Sequence, residues 1–404
     1  VGAQFSFLDV INPVEPRHFF EQYWEKSPLY IARQNPDYYA RLLTVKDVEY
    51  IIAATGLRHP SLRMVKNGQQ IPLGSFTTSL GGREDVFSHL IEPDKVFAEY
   101  RQGATIILES LHRNWPALAQ FCRNLEKYFN HPVQANIYFT PKASQGFAPH
   151  YDTHDVFVVQ LAGSKHWRIY EAPVELPDRG MAFKKDHHET GQLLYEIDFS
   201  AGDLIYLPRG FMHEALTSED ISLHATIGIL TYTWYDVLLE AVKAHKQDVR
   251  FRRALPVGFA QPGQQPDGLE TQFNELLAAV KADLKLEEAY ETLARRFISN
   301  RPPLLDGYLD DLDKIDTLEL SSIVKQRDGL IYGFSRDENS VSLTFHRKKV
   351  SFPDYVEAAL QFILEMGERQ FTVAAIPGKL ENAGKLVLVR RLVIEGFLTV
   401  VTDR

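Results

Sequence analysis

"GFAPHYDTHDVFVVQL", residues 146–161, sets His150, Asp152 and His154 at alternate positions just ahead of an apolar, β-branched run. Alternate side chains of a strand share one face. One face of a buried strand therefore opens with imidazole, carboxylate, imidazole. A metal ion gives that pattern a chemical reason, because the heads of His150 and Asp152 converge and a neighbouring strand can add a third ligand. His213 suits that place: in "GDLIYLPRGFMHEALTS" (202–218) it follows a strand and a turn and opens the returning strand, 63 positions after His150. Two histidines and one carboxylate on one side of a metal form the facial triad of non-haem Fe(II) oxygenases, which leaves positions open for co-substrate and O2. Any one of these histidines alone would read as a hydrogen-bonded barrel residue; the combination favours the metal. His154 shares the parity but sits one pair further along, behind the ligands or facing substrate. The pair His187 and His188, in "KKDHHET", reads as solvated surface.

Outward from this stretch, residues 133–234 read as short strands broken by Pro, Gly and polar turns: "QANIYFT", "DVFVVQL", "KHWRIYE", "GDLIYLP", "HEALTS" and "SLHATIGIL". Short strands without intervening helices predict an antiparallel barrel or jelly roll. Asn136, Tyr138 and Thr140 share one face of their strand; Ser222, His224 and Thr226 share one face of theirs. Polar faces on apolar strands must be satisfied, and a ligand cavity does so. An oxygenase of this type needs an electron donor such as a 2-oxo acid, whose far carboxylate a cation must hold. Lys165 in "LAGSKHWRIY" is the candidate, since a buried lysine is stable only with a carboxylate partner.

Aromatic residues at helical spacing, then a Pro stop and a short strand, are read in "PRHFFEQYWEKSPLYI" (16–31); amphipathic helices are expected at 44–56, 116–130 and 234–248, and two more in 269–300, with a buried strand at 103–110. The Pro-, Gly- and Gln-rich stretch 256–268 marks a loop or boundary. The last segment reads as strand "SVSLTFHRKKVSF", helix "PDYVEAALQFILEMG", a short helix near "TVAAIP", helix "NAGKLVLVRRLVIEG" and strand "FLTVV", an order that suits a winged helix. Residues 341–404 carry nine Lys/Arg against seven Asp/Glu. Phosphate neutralisation needs a basic excess, so packing or partner docking is expected there rather than DNA binding.

The whole chain of 404 residues exceeds one ordinary domain, and its net charge of −9 argues against a dominant nucleic-acid role. A single cysteine, Cys122, rules out a disulfide framework and fits the reducing cytoplasm. No apolar run approaches the roughly 20 residues that span a bilayer, and the first residues lack the pattern of a signal peptide.

"NIYFTPKASQGFAPHYDTHDVFVVQLAGSKHW", "GDLIYLPRGFMHEA" and "SLHATIGI" together resemble the JmjC-type ribosomal oxygenases, Fe(II)- and 2-oxoglutarate-dependent protein hydroxylases. The similarity extends to "FFEQYWEKSPLYI", to a helical dimerisation region and to a C-terminal winged helix. It implies an α+β fold with a double-stranded β-helix (jelly roll, cupin/JmjC) core. The implied domains are a catalytic domain with its N-terminal helices at 1–234, a helical dimerisation region and linker at 235–335, and a winged helix at 336–404. It also implies iron on His150, Asp152 and His213, the far carboxylate of 2-oxoglutarate on Lys165, and a further co-substrate contact on Asn136. Where eukaryotic members carry another co-substrate hydroxyl, this chain has Gly228, and Tyr138 or Thr226 is expected to substitute. The arginine-modifying bacterial enzyme has arginine at the place of Lys165, so this chain stands nearer the histidine-hydroxylating members.

The function expected is hydroxylation of a histidine or arginine side chain of a ribosomal protein, or of another protein or peptide, by a homodimer without membrane contact. Two rivals stand beside it. An N-methyl-lysine demethylase would use the same chemistry, but no aromatic cage for the ammonium is visible. A non-catalytic, metal-stabilised binding module would not need the triad together with Lys165 and Asn136.

Overall fold

The computed structural model describes residues 5–78, 89–144, 148–184, 189–216, 219–261 and 268–401. The chain forms two compact units, Val1–Thr231 and Tyr232–Arg404.

In the first unit, local chemistry starts the helices. Ser6 and Thr44 cap Phe7–Ile11 and Val45–Ala54, each in a reciprocal capping box with the Asp three residues on. Proline opens Pro16–Gln22, Pro93–Arg101 and Pro116–Phe129, where its missing N–H costs nothing. The strands that build the site are β1 (Leu29–Ile31), β2 (Leu62–Lys66), β3 (Thr105–Leu108), β4 (Val133–Thr140), β5 (Asp155–Tyr170), β6 (Leu193–Ser200), β7 (Leu204–Leu207), β8 (His213–Leu216) and β9 (Ser222–Ile229).

The major sheet runs β1-β7-β5-β9-β4-β3-β2, all antiparallel, with Gln69–Gln70 at its edge. β5 belongs to two layers. Its first half pairs with β7 and β9, and its second half pairs with β6 and β8. The two strands expected at 155–161 and 165–171 are therefore one strand of 16 residues. The intervening "AGS" does not turn the chain back; it bends it. Gly163 takes φ +65°, and a Cβ there would stand 1.8 Å from the Ile221 carbonyl oxygen, so only glycine fits this crossing. β6 was not among the expected strands.

Side-chain parity then sorts the layers. Phe157 and Val159 face outward with Tyr206, Ala225 and Ile227, joining the large core against Phe7, Phe19 and Phe121 of the helices. Val156 and Val158 face inward with Ile205 and Leu207, against Trp167, Ile169, Ile197 and Phe199 of the second layer. The interior is apolar at that end. It is polar elsewhere: Thr140, Gln160, Lys165, His213, Ser222 and His224 are all buried.

In the second unit, Trp234–Ala244 packs on Leu286–Ser299, joined by Arg296 donating to Glu240 at 2.7 Å. Leu269–Ala282 is the other long helix of this region. Beyond them lie two three-stranded sheets and the helices Glu357–Met366 and Asn382–Ile394 around a core of their own. The single strand expected at 340–352 is a hairpin, Ser340–Phe345 and Lys348–Pro353, because His346 and Arg347 adopt left-handed backbone that reverses the chain. Strands Ile323–Gln326 and Gly333–Asp337 and helix Tyr308–Asp313 were not foreseen. Among the described residues, no helix is long and apolar enough to cross a membrane.

Candidate metal centre

His150 and His213 face each other in a two-residue antiparallel bridge outside the named strand pairs. Each donates its backbone N–H to the other's carbonyl, at 3.1 and 2.8 Å, and Gly210 N–H reaches the Asp152 carbonyl at 3.0 Å. The loop before β5 and the start of β8 are thereby stapled together, which brings distant positions of the sequence to one point. One ligand atom from each of His150, Asp152 and His213 lies within 4.8 Å of the others. His213 Nε2 is 3.9 Å from Asp152 Oδ2.

The ring nitrogens are already assigned by the backbone. His150 Nδ1 lies 2.9 Å from the Ala148 carbonyl and His213 Nδ1 lies 3.0 Å from the Phe211 carbonyl. A carbonyl only accepts, so Nδ1 carries the proton in both rings and Nε2 presents its lone pair, as metal-binding histidines do. Electrostatics agree. Burial lowers the pKa of His213 to about 4, helped by the neighbouring His150 and opposed by Asp152. For Asp152, burial pushes the pKa up, but His154, His213 and His150 together outweigh it and hold the carboxyl below its ordinary value. Two imidazole Nε2 atoms and one carboxylate are the donor set for a divalent transition metal.

Lys165 lies deeper in the same unit, 5% exposed. Its Nζ donates to Thr140 Oγ1 at 3.3 Å, and Thr105 donates to the same oxygen at 3.1 Å. No carboxylate pairs with it among the described residues, and burial alone lowers its pKa to about 7. Three more polar atoms of this interior lack a hydrogen-bond partner among the described residues: Trp167 Nε1, His224 Nδ1 and Gln160 Oε1. Leaving such groups unsatisfied costs about 1–3 kcal/mol each. A polar ligand would remove that cost.

The other candidate residues occupy distinct places. Asn136 Oδ1 accepts from Ser110 N–H at 2.8 Å, and its amide donates to the Tyr138 hydroxyl, whose pKa burial raises. His224 stacks on Tyr138 with ring centroids 4.9 Å apart; burial, then Lys165, then His213 push its pKa well below the ordinary value, so it is neutral. Ser222 is pinned by Gln160, which donates to its hydroxyl at 2.9 Å. Thr226 lies between Asn136 and Val158 in register. His154 is outside the ligand group, and Trp167 stacks on the ring of His213. His187 and His188 lie outside the described residues.

A buried ion cluster behind the ligands escaped the sequence reading. Arg209 donates to Asp155 at 2.7 Å and pairs with Glu25 at 2.6 Å, while the Tyr206 hydroxyl donates to Asp155 at 3.0 Å. Asp155 adjoins the metal-ligand loop and Arg209 adjoins Gly210, so the cluster holds both ligand-bearing segments.

Residues 108–237 match the JmjC domain. Over 320 residues the chain is 31% identical to the bifunctional lysine-specific demethylase and histidyl-hydroxylase NO66 of Drosophila yakuba, covering 73% of this chain and 45% of that protein. It is 32% identical to ribosomal oxygenase 1 of Danio rerio over 266 residues, 63% of this chain and 47% of that one. The chain thus carries a JmjC domain and is similar along most of its length to these oxygenases. It spans less than half the length of these two curated relatives. The fold is shared with YcfD, a ribosomal oxygenase from Escherichia coli whose structure was determined with cobalt and 2-oxoglutarate, at a TM-score of 0.53 and 16% identity, covering 96% of this chain and 99% of that one. Within this JmjC fold, the candidate metal group stands where the loop before β5 meets the start of β8, and Lys165 lies beyond the bend of β5 at Gly163.

Proposed function

We propose that this chain is an Fe(II)- and 2-oxoglutarate-dependent dioxygenase that hydroxylates a histidine or arginine side chain of a ribosomal protein. The observation that carries the reading is Lys165, a buried ammonium without a carboxylate partner among the described residues, in the same β-sandwich as the His150–Asp152–His213 group. The names of the curated relatives and the cobalt and 2-oxoglutarate held by YcfD support it.

His150, Asp152 and His213 would hold the iron by two Nε2 lone pairs and one carboxylate. When bound, iron supplies the oxygen chemistry that hydroxylates a C–H bond while 2-oxoglutarate becomes succinate and carbon dioxide. Everything else is the work of the chain. Lys165 neutralises the far carboxylate of the co-substrate, and the Thr105–Thr140 pair fixes the direction of its Nζ. Asn136, Tyr138 and Thr226 offer further polar contacts on the same interior face. The apolar floor of Val156, Val158, Ile205 and Leu207 excludes water, which strengthens each of these contacts.

The helices of the second unit form the dimer contact in this reading. Trp234 is 75% exposed, and Tyr235, Leu238, Phe273 and Tyr290 are exposed with it; aromatic surface of this extent is what association buries. Residues 336–404 act as a winged-helix module for packing or partner docking rather than DNA binding, given their near-neutral charge. The single, buried Cys122 suits work in the cytoplasm.

The test is incubation with ribosomes, Fe(II) and 2-oxoglutarate, followed by peptide mass spectrometry. Gain of one oxygen, about 16 Da, on a histidine or arginine supports the proposal. Loss of a methyl group from lysine instead would make the chain a demethylase, and no change under turnover conditions would refute both.

A further inference from the structure

Gly228 lies on the inward face of β9 with Ser222, His224 and Thr226, between Gln134 and Val156 of the neighbouring strands. Its backbone is not left-handed, so no turn requires glycine here. The reason is steric. A Cβ at this position would stand 2.5 Å from Cδ2 and 2.7 Å from Nε2 of His154. The imidazole of His154 thus fills the part of the wall that a side chain at 228 would otherwise supply. That ring is only partly buried, and it has no hydrogen bond to any described residue. It is close enough to be the foremost charge acting on Asp152, yet it stays outside the ligand group.

A ring that makes no hydrogen bond to a described residue, beside the Asp152 carboxylate and against the inward face of β9, is placed to donate to a ligand bound at this centre. We propose that His154 is a specificity-determining contact for the 2-oxo acid, donating a hydrogen bond to one of its carboxylate oxygens from the wall position that Gly228 leaves open. The proposal rests on the oxygenase reading above. A side chain at 228 would push the far end of the His154 ring out of this place.

Equilibrium dialysis of 2-oxoglutarate against the full chain loaded with Mn(II), which allows binding without turnover, tests this. His154→Ala, compared with wild type at saturating Mn(II), should weaken 2-oxoglutarate binding about tenfold or more, the worth of a hydrogen bond to a charged group. Gly228→Ser should also weaken it, because the new side chain meets the His154 ring. The double variant His154→Ala/Gly228→Ser has room for the hydroxyl and should bind more tightly than His154→Ala. Equal binding by wild type and His154→Ala overturns the proposal, as does a double variant no tighter than His154→Ala. Should Gly228→Ser fail to fold, the other two variants decide. Failure of the wild type itself to bind 2-oxoglutarate with Mn(II) would instead bring down the oxygenase reading and the contact with it.

Discussion

Replacing Lys165 by methionine keeps an unbranched apolar stem and removes the ammonium, which separates what that charge costs the fold from what it gives the ligand. Burial lowers the Lys165 pKa from 10.5 to about 7. At 1.36 kcal/mol per pKa unit, that drop is a penalty on the order of 5 kcal/mol for keeping the ammonium charged in the ligand-free fold. The sign follows from proton counting. Between pH 7 and 10.5 the unfolded chain binds a proton that the folded one has released, so stability rises with pH across that window. Below pH 7 the whole penalty is present, and above 10.5 none of it remains. Lys165→Met should therefore be more stable than wild type at pH 6.5, without ligand. The advantage should shrink by about 3 kcal/mol between pH 7 and 9.5, roughly 6–12 °C in melting temperature for a unit of this size. The same variant should lose its stabilisation by 2-oxoglutarate. Melting curves of both proteins across this pH range provide the check. A difference that stays flat from pH 7 to 9.5 would show that Lys165 is not a desolvated, unpaired ammonium, and the argument for an anion site would fail with it.

Other consequences are more direct. If the three residues hold the metal as proposed, His150→Ala, Asp152→Ala and His213→Ala should each abolish the rise in melting temperature on adding Fe(II) or Mn(II) while leaving the metal-free protein folded. Arg209→Met leaves Asp155, which is fully buried, without its cation; calorimetry should find a loss of about 3–5 kcal/mol. Gly163→Ala should destabilise strongly, because its methyl group would meet the Ile221 carbonyl at 1.8 Å, and soluble yield with circular dichroism would reveal it. Light scattering should give twice the mass of one chain for wild type, and a single-chain mass for Trp234→Glu/Tyr235→Glu if those exposed rings form the dimer contact.

The grouping of His150, Asp152 and His213 was legible because its signal is local in type and pattern. His150 and Asp152 alternate in sequence and His213 opens a strand, although the first two lie in the loop before β5, tied to His213 by an isolated bridge and not by a continuous strand. Lys165 was legible from its position but not its surroundings: the sequence placed it at the start of a separate strand, whereas β5 continues through the Gly163 bend and carries it into the second layer. "AGS" reads as a turn because turn and bulge use the same residues, and only the packing of Ile221 against Gly163 distinguishes them. β6 gave a weak signal because six of its eight residues are exposed, and only Ile197 and Phe199 mark its buried face. The Arg209–Asp155–Glu25 cluster had no sequence signature at all. Its members lie 54 residues apart and more, and no spacing rule links them. Gly228 looked like a missing contact until the ring of His154 was found in its place.

The central claim is that His150, Asp152, His213 and Lys165 make one site for iron and 2-oxoglutarate. Succinate formation from 2-oxoglutarate, measured with and without Fe(II) for wild type, Asp152→Ala and Lys165→Ala, tests it most directly. The account predicts Fe(II)-dependent succinate from wild type, none from Asp152→Ala, and a 2-oxoglutarate requirement raised about tenfold to a hundredfold in Lys165→Ala. Undiminished succinate formation by Asp152→Ala, or a Lys165→Ala variant with the wild-type requirement, would contradict it.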